Sequence, residues 1–118
     1  MRYLLLLNAT ESLPAPGTSA ADELFAAWNG AVEKMRAAGV LVDCAPLAPP
    51  SAGTTVRVRD HEVLLTDGPA AEIKEWLGGY TIVDCNDLDE ALRWAAELPA
   101  AREASVEVRP VIDTGRGD

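Results

Sequence analysis

Residues 2–8 read RYLLLLN, an apolar run with bulky side chains at every position from Tyr3 to Leu7. In a strand, alternate side chains point to opposite faces, so Tyr3, Leu5 and Leu7 share one side while Leu4 and Leu6 share the other. Neither set is suited to water, and a strand of this kind belongs inside a sheet covered on both faces. A chain of 118 residues has room for one compact domain rather than two. Its own helices can cover one face. The other face asks for a further cover, and a second copy of the chain is the simplest source.

The rest of the chain supplies those helices. Pro14, Pro16 and Gly17 mark a loop. Thr18 or Ser19 then caps a helix with Asp22 and Glu23 in its first turn, Leu24, Trp28, Val32 and Met35 at helical spacing, and Gly39 as its stop. Trp28 and Met35 are expected in the core. Val40 to Leu47 alternates as a strand, and residues 48–53 form a proline-rich surface connection. TTVRVRDHEVLLT, residues 54–66, reads as a hairpin with Asp60 and His61 at its tip. Residues 79–85, GYTIVDC, form another strand. Asp87 caps a second helix with Glu90 as its capping-box partner, and its buried stripe is expected to be Leu88, Ala91, Leu92, Ala95 and Leu98, with Pro99 ending it. Val106, Val108 and Val111 line a last strand.

With the hairpin set aside, this order is βαββαβ. The fold class is therefore α+β, a ferredoxin-like arrangement with an inserted hairpin and both helices on one face of an antiparallel sheet. One domain spans residues 1–112, followed by a flexible tail at 113–118. The double-sided first strand predicts a homodimer, because one chain leaves half of its sheet bare.

Charge and motif content narrow the function. Ten Lys and Arg against nineteen Asp and Glu give a net charge of −9, which opposes nucleic acid and anionic membranes as partners. Arg57 and Arg59 alternate along one segment without interleaved aromatics, a solvated edge rather than a basic patch. The N-terminal apolar run is shorter than a signal-peptide core, and no run is long enough to span a membrane. The expected location is therefore cytoplasmic, with Cys44 and Cys85 as reduced, small core residues. On that reading Asn8-Ala9-Thr10 and Arg116-Gly117-Asp118 match a glycosylation sequon and an adhesion tripeptide by chance. Without CxxC spacing, a phosphate-cradling glycine loop or a dinucleotide fingerprint, no metal and no cofactor is expected. His61, at a hairpin tip, is read as a turn residue rather than a catalytic base.

One long segment carries a family resemblance. TVRVRDHEVLLTDGPAAEIKEWLGGYTIVDCNDLDEALRWAAELPAAREASVEVRPV, together with RYLLLLN and AAGVLV, resembles the YCII-related family, and in particular its branch named for a DGPF motif. The likeness runs over almost the whole chain. It implies a dimeric α+β barrel of ferredoxin-like fold, and a family mostly uncharacterised in function. Members are often encoded beside extracytoplasmic-function sigma factors, which makes such a factor a candidate partner. Two positions depart from the family pattern. Ala70 stands where the motif has Phe, and no histidine outside the hairpin tip is available for the His-Asp pair thought to act in founding members.

The DGP segment suggests where a ligand would sit. Asp67-Gly68-Pro69 makes a tight turn whose aspartate accepts backbone N–H groups, with Glu72, Lys74 and Glu75 on a short helical piece before Gly78-Gly79. In the functional reading, Asp67, Lys74 and Tyr80 converge on a cleft and orient a small polar molecule. The resulting expectation is a small-molecule-binding dimeric barrel, with cofactor-free enzymatic activity left open. The alternative is an interaction module for a sigma factor.

Overall fold

A computed structural model describes residues 1–11, 13–71 and 74–115. The strand Arg2–Ala9 (β1) has strictly alternating burial, with Tyr3, Leu5, Leu7 and Ala9 buried and Leu4 and Leu6 half-buried. The helix Ser19–Ala37 (α1) begins where the Thr18 hydroxyl accepts from the Ala21 amide at 3.2 Å. It ends in a Schellman arrangement. Gly39 takes φ +74°, its amide donates to the Arg36 carbonyl at 3.1 Å, and the Val40 amide donates to the Met35 carbonyl at 3.1 Å. There follow Leu41–Pro46 (β2), a 3₁₀ turn at Pro50–Ala52, the ribbon Thr54–Arg59 (β3) and Glu62–Asp67 (β4), and Trp76–Asp84 (β5). Leu88–Glu97 (α2), Pro99–Glu103 (α3) and Ser105–Pro110 (β6) complete the described elements.

The main sheet has the order β2-β5-β1-β6 with every neighbouring pair antiparallel. With the ribbon set aside, this is the βαββαβ ferredoxin-like topology expected from the sequence. Leu5, Val83 and Thr81 on the sheet meet Met35 from α1 and Ala91 and Leu98 from the second helical segment, forming a single core. Cross-strand pairs fix which residues share a face. Tyr3, Leu5 and Leu7 lie opposite Val83, Thr81 and Gly79 on the helix side, whereas Leu4 and Leu6 lie opposite Ile82 and Tyr80 on the open side.

Several local expectations change. Leu88 and Leu92 are exposed, because α2 turns Ala91 and Ala95 toward the sheet. At about 100° per residue, Leu92 lies about 60° from Ala95 and about 100° from Ala91, on the margin of that stripe. Half-buried Trp94 packs against the core instead. The capping box forms with a one-residue offset: the Glu90 amide donates to Asp87 Oδ1 at 2.9 Å, and the Glu90 carboxylate accepts from the Asn86 amide at 2.8 Å. Pro99 ends α2 and also opens α3, where its missing N–H costs nothing at the first helical position. Val111 falls beyond the last strand and is exposed. Gly78 and Gly79 lie within β5, which already starts at Trp76, so no helical piece leads directly into the glycine pair. Glu72, and the RGD tripeptide at 116–118 in the expected tail, lie outside the described residues.

The ribbon is the irregular part of the molecule. Asp60 and His61 both take positive φ, 50° and 65°, the left-handed pair that a two-residue hairpin turn requires. Neither strand packs substantially against another element. The radius of gyration is accordingly 16.2 Å, against about 13.5 Å for a compact chain of this length.

Candidate functional site

A cavity of about 260 Å³ opens on the helix side of the sheet, where β1 and β5 end under α1. Leu7, Ala9, Gly78 and Gly79 form its floor. Leu24, Phe25 and Trp28 of α1 form one wall, and Pro46, Pro99 and Ala100 close the others. Helical spacing places Leu24 and Trp28 in line with Val32 and Met35, but the last two reach the core while the first two stay half-buried over the cavity. Trp28, expected as a core side chain, thus has one side on the core and the other on open space.

The glycine pair has a steric reason to be there. A Cβ on Gly79 would come within 3.0 Å of the Ala45 carbonyl oxygen and 3.5 Å of Leu7 Cδ1, and one on Gly78 would come within 3.0 Å of Ala9 Cβ. These two positions let β1, β2 and β5 approach closely at a bulge of β5, where Gly78 is the extra residue between the Leu7–Gly79 and Asn8–Leu77 pairs, and they keep the floor of the cavity low.

Asn8 and Glu103 are the polar side chains among the lining residues. The Asn8 amide donates to Ser105 Oγ at 3.1 Å, and that hydroxyl donates to Glu75 Oε1 at 2.8 Å. By the strand alternation and the β1–β6 register, Asn8 and Ser105 share the face of Leu4 and Leu6, so this hydrogen-bonded chain lies on the open side of the sheet, and Glu103 is the carboxylate at the cavity itself. The arrangement suits a small, mostly apolar molecule with one polar handle, and its chemistry is that of hydrogen bonds and carboxylates. Among the described residues, no three His, Cys, Asp or Glu side chains come together as metal ligands.

None of the three ligand groups expected from the sequence lines this cavity. Asp67 is exposed at the end of β4, paired with Thr54 at the root of the ribbon. Lys74 is exposed ahead of β5. Tyr80 is half-buried on the open face of the sheet, where its hydroxyl donates to Asp43 Oδ2 at 3.3 Å. The neighbouring carboxylate charge raises the phenol pKa above its ordinary 10.0. Among the described residues no backbone N–H donates to the Asp67 carboxylate. The turn is held instead by the Gly68 amide on the Gly53 carbonyl at 2.8 Å and by the Thr55 hydroxyl on the Gly68 carbonyl at 2.8 Å, with Gly68 at φ +90°.

The model of the YCII-related domain matches residues 1–114. The chain belongs to the YCII-related family. An uncharacterized protein of Rhizobium meliloti (strain 1021) is 39% identical over 114 residues, covering 94% of this YCII-related chain and 92% of that protein. Among solved structures, 5-chloro-2-hydroxyhydroquinone dehydrochlorinase (TftG) from Burkholderia phenoliruptrix AC1100, in complex with 2,5-dihydroxybenzoquinone, superposes with a TM-score of 0.53. It shares 16% identity, each chain covered in full, and so shares the fold with this YCII-related protein. Among the described residues no helix is long and apolar enough to cross a membrane.

Proposed function

We propose that this YCII-related protein binds a small, largely apolar molecule in the cavity between α1 and the ends of β1 and β5, and that it does so as a homodimer. The observation that carries the reading is the cavity itself. An aromatic and aliphatic wall faces a glycine floor, with the carboxylate of Glu103 at its edge. Glu103 is the carboxylate among the lining residues available for proton transfer without a cofactor. The dimer follows from the open sheet face, where Leu4, Leu6, Tyr80 and Ile82 are not covered by a helix.

Titration of isotope-labelled protein with indole and with p-cresol tests the site. The expected result is fast-exchange shifts of the Ala9, Gly78, Gly79 and Ala100 amides at millimolar probe, lost in Leu24→Trp, which fills the cavity. Shifts scattered elsewhere, or unchanged by Leu24→Trp, would refute the assignment.

A further inference from the structure

The ribbon formed by β3 and β4 has two unlike faces. Its register pairs Val56 with Leu65 and Val58 with Val63, so these four side chains share one face, flanked by Thr54 and Asp67 at the root. Thr55, Arg57, Arg59, Glu62, Leu64 and Thr66 form the other. The apolar face is bare: Val56 is 59% exposed, Val58 57%, Val63 65% and Leu65 67%. An isolated two-stranded hairpin is marginal in water, and a bare Val/Leu face on it is a template for association. The ribbon needs a surface to lie on, and among the described residues no other element packs substantially against it.

The same chain carries a matching surface. On the open face of the sheet, Leu6 lies opposite Tyr80 and Leu4 opposite Ile82 on the paired strands β1 and β5. Each patch is therefore a two-by-two block of apolar side chains on adjacent antiparallel strands, with the same spacing along and across the strands. A second copy brings that matching block to the ribbon, and the ribbon's own charge is close to balanced. The ribbon has Arg57 and Arg59 against Asp60, Glu62 and Asp67, whereas the remaining residues have eight Lys and Arg against sixteen Asp and Glu. The ribbon thus carries one net negative charge, no more per residue than the rest of the chain, so charge does not oppose its approach to another copy more than that of any other part, and the match of the two apolar blocks selects the occupant. Taken together, the ribbon and the open face amount to about the 20–30 residues per partner of a standard interface.

We infer that the apolar face of the ribbon of one copy lies on the open sheet face of a second, and that the two-fold partner returns the same contact. The inference rests on the dimer proposed above and specifies which segment makes it. Two-fold exchange covers the bare ribbon face and the half-buried sheet patch of both chains in one step, as an isologous interface does.

The test uses two variants of the full chain. Val58→Lys with Val63→Lys alters the ribbon, which touches little else, so the fold is expected to survive with an unchanged circular dichroism spectrum. Leu4→Glu with Leu6→Glu alters the sheet face. Sedimentation should show each variant alone weakened in self-association by tenfold or more relative to the wild type. An equimolar mixture should recover the dimer, because one contact is then wild type on wild type and the other is lysine on glutamate. A ribbon variant that dimerises like the wild type overturns the inference while leaving the dimer standing, and would mean that the sheet faces meet directly. A mixture of folded variants that stays monomeric also overturns it. A wild-type chain that is monomeric at tens of micromolar removes the dimer as well. Should the sheet variant fail to fold, the ribbon variant alone decides the matter.

Discussion

Thr81 is, among the described residues, the buried polar residue of the core, and its hydroxyl has no hydrogen-bond partner among them. A hydroxyl desolvated without compensation costs about 1–3 kcal/mol, and valine fills nearly the same volume with higher strand propensity. Thr81→Val is expected to raise stability by about 1 kcal/mol, read as a higher denaturant midpoint at unchanged slope. The cysteines differ in the same physical terms. Burial, with Glu90 beside it, pushes the Cys85 thiol up to about 11, while Cys44 is half-buried on the edge strand β2. Since the thiolate is the reacting form, iodoacetamide at pH 8 should modify Cys44 in the folded protein and reach Cys85 only on unfolding. Mass mapping that shows Cys85 modified first would contradict that burial. Tyr80 carries a pH signature of its own. Its pKa is raised chiefly by the Asp43 charge, so the neutral phenol is the form favoured by the fold. This contribution is complete below the unfolded phenol pKa and is lost as pH rises through the folded one. The ultraviolet titration of Tyr80 should accordingly lie above 10.0 and fall back in Asp43→Asn.

The strand elements follow from patterns that a sequence states directly. Alternation in RYLLLLN separates Tyr3, Leu5 and Leu7 from Leu4 and Leu6, and the residues that cap α1 and α2 are the ones that close their first turns. Helix faces are less legible, because spacing alone cannot tell Ala91–Ala95–Leu98 from Leu88–Leu92 as the face nearest the sheet. Alanine wins where a helix must sit close. The cavity was less legible still. Its small residues, Ala9, Gly78, Gly79 and Ala100, are scattered along the chain and become one surface only when the strand order brings β1 beside β5 under α1. Asp67, Lys74 and Tyr80 are close in sequence, yet Tyr80 faces the open side of the sheet and Asp67 the root of the ribbon. The glycine pair yields a test at this scale. Gly79→Val adds a branched side chain where even a Cβ meets the Ala45 carbonyl at 3.0 Å, so it should destabilise by about 2 kcal/mol or more through overpacking. The tip of the ribbon should behave oppositely. Asp60→Asn with His61→Gly suits the left-handed pair and should leave the melting temperature unchanged or slightly raised.

The whole molecule is flat, 47 × 45 × 18 Å, and each copy has a formal charge of −9. Apolar attraction between ribbon and sheet must therefore overcome repulsion between two acidic bodies. For two such charges about 30 Å apart in water, Coulomb's law gives a repulsion on the order of 10 kcal/mol without salt. A Debye length of about 30 Å at 0.01 M reduces this to about 4 kcal/mol, and one of about 10 Å at 0.1 M to below 1 kcal/mol. The hydrophobic term changes little over that range. Raising sodium chloride from about 0.01 M to 0.1 M is therefore expected to tighten the dimer by roughly a hundredfold in Kd, since every 1.4 kcal/mol is a factor of ten. An interface held mainly by ion pairs between the copies, such as Arg57 with the partner's Asp43, has the opposite sign and weakens as salt rises. Sedimentation equilibrium across a salt series reads that sign directly. Tightening with salt identifies apolar burial as the term that holds the copies together, and weakening would show that the ribbon docks through its polar face.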